Sequence, residues 1–368
     1  MTAPNHARFE ALDAWRGICA LVVALVHLPT ESVLHRNAVV MHGYRFVDFF
    51  FVLSGFVIAH AYQERLRRGG RAVRGFLIRR IGRLWPLHAL VLFAFVAIQI
   101  AVWLAGHLGI ADGHAAFAKN SLASVPANLV LVHAWGMYDN LTWNAPSWSI
   151  STEVFAYCVF AAMCASLPAR WVTRAAAGLL IGSGLVVLLV APAGMKSMFD
   201  YALFRCIYGF MTGVVVRALW GRVPLRWGTA GEVGAVCAVI AGVGWIPVGD
   251  AALVVTPLFG LAVAIFAAED GALSRAMRRP LPQTLGAWSY SIYMVHPLVT
   301  AVVVTLAARA HVATTGSASL DGAAWLTGAI SVCYLAVVVA VASWTYRHVE
   351  LRGQRVFQRW ATRAERAP

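Results

Sequence analysis

Apolar residues fall in runs of about 20, the length that carries a helix through the hydrocarbon of a bilayer. Windows of that size pick out residues 10–29, 45–62, 84–105, 146–166, 172–191, 201–219, 229–247, 250–268, 284–308 and 323–346. They predict an all-α fold: a polytopic membrane bundle of about ten transmembrane helices. The stretch 126–138 (PANLVLVHAWGMY) is also apolar but too short to cross, and reads as re-entrant or interfacial.

The charges between these runs orient them. With the N-terminus inside, the cytoplasmic segments hold Arg8, the cluster from Arg65 to Arg83, Arg170 and Arg174, Arg217 to Arg226, Arg275 to Arg279, and Arg347 to Arg366. These are most of the 30 Lys and Arg; the outer segments hold Arg36, Arg45, Lys119, Lys196 and Arg309. The positive-inside rule then places both termini in the cytoplasm. Residues 1–346 read as one membrane domain, and 347–368 as a basic cytoplasmic tail, an amphipathic helix on the inner leaflet. Asp13 and Arg16 sit inside the first run and no A-x-A site follows, so it reads as a retained span rather than a signal peptide.

Composition agrees: 60% of residues are hydrophobic and 12% charged, against about a quarter charged in soluble domains. Topology accounts for the net charge of +14, so it is no argument for nucleic acid. The six cysteines are scattered through apolar runs without a C-x-x-C pair, which predicts neither a disulfide framework nor a metal site. Trp135, Tyr138 and Trp143, in the longest outer segment, suit an interfacial belt or stacking on sugar rings.

Chemistry concentrates on the first run, EALDAWRGICALVVALVHLP. An ionisable residue within a span is costly and marks function. Arg16 and His27 are eleven residues apart, which returns them to one helix face about 16 Å apart along the axis. Asp13 lies within about 60° of both. Gly17, Ala20, Val23 and Ala24 form a strip on that face, either the wall of a passage or a seam for a close-packed neighbour. His27, near the outer end, is a candidate general base. Asp48 and Glu153 arrive at similar depth on other spans, and either suits the imidazole as a partner. On the inner side, Arg79, Arg80 and Arg83 sit where a helix enters the membrane, with Arg80 and Arg83 on one face. Guanidiniums converging there suit a phosphate-bearing molecule such as CoA, or lipid headgroups.

His296 falls at mid-depth, with Tyr290 and Tyr293 nearby; a tyrosine hydroxyl is one candidate partner and an acceptor substrate another. Trp148, Ser149, Tyr293 and His296 are candidate substrate-binding residues. Ser54 lacks a G-x-S-x-G setting and is expected to bond back into its own helix. Arg205 needs an acidic or carbonyl partner, with Asp200 nearest in sequence; Glu232 suits arginines at the inner surface, and Glu350 the tail. Together these predict that acyl-CoA docks from the cytoplasm, with Arg16 and Asp13 flanking its path. Its thioester would thread along the small-residue strip toward an acceptor hydroxyl at His27. A transporter or flippase for a glycolipid or acyl group is the competing reading, since intramembrane charges also mark transport paths. It predicts inverted repeats, and none is visible.

Six stretches resemble signatures of the membrane-bound acyltransferase 3 family, in that family's order. They are LDAWRG with His27 after ten intervening residues, VDFFFVLSGFVI (47–58), RRIGRLWP (79–86), PSWSISTE (146–153), LGAWSYSIYMVHP (285–297) and YRHVELR (346–352). The resemblance implies a ten-helix core and acyl-CoA, most often acetyl-CoA, as donor. The acceptor it implies is a hydroxyl of surface polysaccharide, lipopolysaccharide or another glycoside, and the location the bacterial inner membrane among its lipids. It further implies Arg16 and His27 as an essential pair, Arg80 and Arg83 as the inner Arg-x-x-Arg, and Glu153 as the acidic residue of W-S-x-x-x-E. The chain is too short for the fused SGNH-type hydrolase domain that some members carry.

Overall fold

The computed structural model describes residues 8–30, 32–109, 116–220, 227–315 and 324–366, the side chains of 306–315 and 324–326 excepted. Every described regular element is helical. The long helices, in chain order, are α1 (Glu10–Val26), α2 (Phe46–Leu66), α3 (Gly70–His107), α4 (Trp148–Ser166), α5 (Ala169–Leu189), α6 (Ala202–Trp220), α7 (Gly228–Trp245), α8 (Val255–Phe266), α9 (Pro280–Thr315) and α10 (Ala324–Thr345). A π-turn at Tyr346–Glu350 then leads into α11 (Leu351–Arg366). All ten predicted runs are helices. Among the described residues, eight helices are long and apolar enough to cross a membrane. The other two are α1, 17 residues with Glu10, Asp13 and Arg16 aboard, and the short apolar stretch Asp250–Phe266 that ends in α8.

Glycines set the closest helix contacts. In lipid, helices gain little from burying apolar surface against each other, so close backbone approach and van der Waals contact decide packing. On α1, a Cβ at Gly17 would lie 2.4 Å from the Leu285 carbonyl carbon; on α9, one at Gly286 would lie 2.3 Å from the Asp13 carbonyl oxygen. Ala20, Val23 and Ala24 continue the seam, fully buried. The small-residue strip is therefore packed hydrocarbon, and the expected passage along it does not exist. Gly55 and Gly213 bring α2 and α6 together in the same way, against the carbonyls of Phe210 and Val52.

Helix ends are satisfied from far along the chain. The Ala11 N–H donates to Glu269 (2.7 Å), and Gln283 donates to the Glu10 carbonyl. Glu232 is buried and accepts from the N–H groups of Gly271, Leu273 and Ser274, capping the helix Ala272–Met277. It does not reach arginines at the inner surface. α1 stops at His27, two residues before Pro29, whose ring disfavours helical backbone in the residue before it.

The segment 126–138 is a five-residue helix, Val125–Leu129, followed by irregular backbone. Its backbone is tied to protein: Trp85 and His88 of α3 bond the Leu129 and Asn128 carbonyls, and Ser151 of α4 bonds the Leu131 carbonyl. Trp143 does not join an interfacial belt; it is buried, with its indole N–H on Ser124. The tail helix α11 lies along α3, with Phe357 over Gly82 and Gly353 over Pro86.

Replacing Gly286 by Val would force α1 and α9 apart. We expect the variant to lose several kcal/mol of stability, by the about 1–3 kcal/mol typical of overpacking plus the lost seam. Thermal unfolding in detergent, followed by fluorescence-detected size exclusion, reads this directly.

Candidate active site

A cavity of about 110 Å³ opens between α2, α3, α4 and α9, beside the inner half of α1. Arg16, Arg80 and Arg83 reach it from α1 and α3, with Glu153 and Tyr157 from α4 and Ser289, Tyr290 and Tyr293 from α9. Its lining thus carries three guanidiniums and one carboxylate, in an otherwise largely apolar wall of Val47, Phe50, Phe51 and Ile150.

Each cation is braced differently. Arg16 donates from Nε to the Ser289 hydroxyl (2.8 Å) and from Nη2 to the Gly286 carbonyl (3.3 Å), so the α1–α9 seam fixes its plane. Asp13 stands 3.6 Å away and also takes Arg8 at 2.7 Å; it supports Arg16 and does not line the cavity. Arg80 lies over the Tyr62 ring at 5.2 Å and donates to its hydroxyl. The charge of Glu350, in the π-turn, acts on Arg83 and Arg16 alike. Glu350 is itself buried and accepts from Ser291 (2.9 Å) and Gln354 (3.1 Å), so it ties the tail to α9 as well as serving the site. Arg79 parts from its neighbours. It ion-pairs with Glu365 of α11, which also holds Arg65, and does not line the cavity.

Glu153 accepts from the Tyr157 hydroxyl (2.7 Å), which stands 3.3 Å from Ser54. Ser54 therefore faces the cavity and does not simply bond back into its own helix. Ser149 pairs with the Tyr293 hydroxyl (2.8 Å), and Tyr293 also reaches the Pro146 carbonyl (2.9 Å). These two close the outer end of the cavity.

His27 stands beyond that end, exposed. Its Nδ1 lies 2.7 Å from the Val23 carbonyl, which can only accept. The ring proton therefore sits on Nδ1, and Nε2 presents a lone pair. Neither expected carboxylate partners it. Glu153 is engaged with Tyr157. Asp48 binds Arg205 through both oxygens, at 2.8 and 3.0 Å, and both side chains are buried. Asp200, the neighbour in sequence, instead accepts from the Tyr201 N–H. Trp148 packs against the Arg205 guanidinium at 4.9 Å, so it supports this ion pair and does not line the cavity. His27 meets His296 instead, ring centroids 5.0 Å apart. No tyrosine hydroxyl bonds His296, because Tyr293 is committed to Ser149 and Pro146.

Residues 9–347 match the acyltransferase domain that defines the acyltransferase 3 family. The chain belongs to that family. It is a multi-pass membrane acyltransferase. Similar proteins include protein 2 of the picA locus of Rhizobium radiobacter, 34% identical over 52% of this chain and 99% of its own length. The acyltransferase MdmB of Streptomyces mycarofaciens is 26% identical over 80% of each chain. The exopolysaccharide production protein ExoZ of Rhizobium meliloti (strain 1021) is 29% identical over 70% of this chain and 76% of its own. No solved structure matches the chain. Membership in this family supports acyl transfer over the transporter reading.

Missed from the sequence were Tyr157, Ser289 and Glu350 as parts of one site. The YRHVELR stretch carried the signal for Glu350, a carboxylate placed where a span should end.

Removing Asp48 alone would strand a buried guanidinium, at about 3–5 kcal/mol. Asp48→Leu with Arg205→Met replaces the pair by hydrocarbon. We expect Asp48→Ala to express poorly and melt early, and the double variant to recover both stability and transfer activity, measured by thermal scans and acyl-transfer assays.

Proposed function

We propose that this enzyme moves an acyl group, acetyl in the first instance, from cytoplasmic acyl-CoA to a hydroxyl of a surface polysaccharide, lipopolysaccharide or other glycoside in the bacterial inner membrane. The observation that carries this reading is the cavity with three guanidiniums against one carboxylate. CoA bears a 3′-phosphate and a pyrophosphate, and charge-assisted bonds to guanidinium are the strong class for phosphate. Arg80 and Arg83 stand on the segment that the charge distribution places at the cytoplasmic surface, so donor entry from inside fits the proposed topology. The relatives' names support acyl transfer and exopolysaccharide production as the setting.

In this reading the phosphates dock on Arg80 and Arg83, and the pantetheine arm runs past Ser54 and Ser289 toward Ser149 and Tyr293. Arg16, fixed by the seam, sets positive charge along the path of a leaving thiolate. The acceptor arrives from outside at the exposed edge of His27. Nε2 takes the hydroxyl proton, the oxygen attacks the thioester carbonyl, and the C–S bond breaks to release CoA inward. Tyr293 and His296 stand between the two half-sites and turn aside when donor and acceptor meet. The basic tail, residues 347–368, is a cytoplasmic appendage to the membrane domain; through Glu365 it holds Arg79 out of the donor set.

Labelled acetyl-CoA offered to protein in sealed vesicles, with isolated glycan outside, tests this. His27→Ala should cut kcat by about 100-fold or more while leaving donor affinity unchanged, the usual worth of a positioned base. Arg83→Ala should weaken acyl-CoA binding by about 10- to 100-fold, the loss expected for a bond to a charged group. Undiminished transfer by a well-folded His27→Ala would remove it from the mechanism.

A further inference from the structure

In the steps above His296 only turns aside and handles no proton, yet its position is unusual. It is fully buried. Neither Nδ1 nor Nε2 has a hydrogen-bond partner among the described residues. Buried polar groups are almost always paired, so an unpaired imidazole asks for an explanation. One cause is local. Pro297 supplies no N–H, which leaves the Tyr293 carbonyl without its helical partner beside the ring. His296 is therefore flanked by backbone carbonyls of Ile292 and Tyr293 but locked by neither.

Its neighbours lie on two sides. Toward the exterior is His27, at 5.0 Å between ring centroids. Toward the cavity is Tyr293, at 5.8 Å, whose hydroxyl meets Ser149 on the cavity lining. The other elements packed here bring committed groups: Tyr334 of α10 is bonded to Thr300 and the Ala24 carbonyl, and His35 to Ser32 and the Leu25 carbonyl. The Arg205–Asp48 pair and Glu153 act electrostatically on Tyr293 from α6, α2 and α4.

The proposed reaction creates a proton imbalance across this layer. The hydroxyl loses its proton on the outer side, at His27. The thiolate needs one on the inner side, in the cavity. We propose that His296 returns that proton: it accepts it from the His27 imidazolium, turns, and passes it by way of the Tyr293 and Ser149 hydroxyls to the departing CoA sulfur. The books close, because the proton removed from the acceptor oxygen ends on the thiol and both histidines return to neutral. A ring with no hydrogen bonds to break turns without losing any. His296 acts through His27 and is a positioning residue for its proton, not a contact of the substrates. This inference rests on His27 being the base, and the experiment separates the two.

Compare His296→Gln and His296→Ala with the parent in nanodiscs. Transfer should fall about 100-fold in kcat, with the KM for acyl-CoA little changed, because the donor residues are untouched. Added imidazole should restore at least a tenth of the activity to the Ala variant, and the pH profile of the restored rate should follow the pKa of whichever substituted imidazole is supplied. A second reading needs no turnover. With ring-15N-histidine protein, the His27 signal should titrate as one of a coupled pair in the parent and in a single step in His296→Gln. Full activity in His296→Gln, a folded Ala variant that imidazole does not restore, or an unchanged His27 titration would each overturn the relay. Loss of activity in His27→Ala together with full activity in His296→Gln would keep the base and discard the relay. If acyl-CoA proves not to be the donor, the titration still decides whether the two rings act as a pair.

Discussion

The site depends on one close approach. Gly17 and Gly286 let the backbones of α1 and α9 touch, and that contact sets both ends of the chemistry. At the inner end it brings Arg16 onto Ser289 and the Gly286 carbonyl, which points its guanidinium into the cavity. At the outer end it lays His27 against His296. A bilayer offers little hydrophobic drive for helix pairing, so a glycine contact of this kind is what can hold two polar ends in register. The register is thus paid in packing, and the polar groups use it.

Buried charge elsewhere serves as scaffolding for the same cavity. The Arg205–Asp48 pair joins α6 to α2, with Trp148 of α4 stacked on the guanidinium. That arrangement holds α2 and α4, two of the cavity's walls, in fixed relation. Glu350 does comparable work at the inner end, tying the π-turn to α9 while balancing Arg83 and Arg16. A cluster of three cations in a low-dielectric setting needs such counter-charge, since burial of unpaired ions is costly.

Much of the fold was legible because bilayer thickness and charge asymmetry constrain sequence strongly. All ten apolar runs are helices, and Arg80 and Arg83, set on one helix face by their i, i+3 spacing, both line the cavity. What was not legible turned on partners distant in sequence. A strip of small residues reads alike as a channel wall or a packing seam until the facing helix is known, and the facing residue here is Gly286, about 270 positions away in the chain. Asp48 and Arg205 lie 157 residues apart, and neither run carries a mark of the other. Arg79 looked equivalent to Arg80 by charge and spacing, and only the position of Glu365 on the tail separates them.

The central claim is that donor and acceptor occupy separate half-sites on either side of the Tyr293–His296 layer. A cryo-electron microscopy structure with a non-hydrolysable acyl-CoA thioether tests it most directly. The account predicts phosphate density at Arg80 and Arg83 and the acyl end beside Ser149 and Tyr293, with His27 across the layer. Phosphates bound at Arg79 and the α11 tail, or an acyl end lying between α1 and α9, would contradict it.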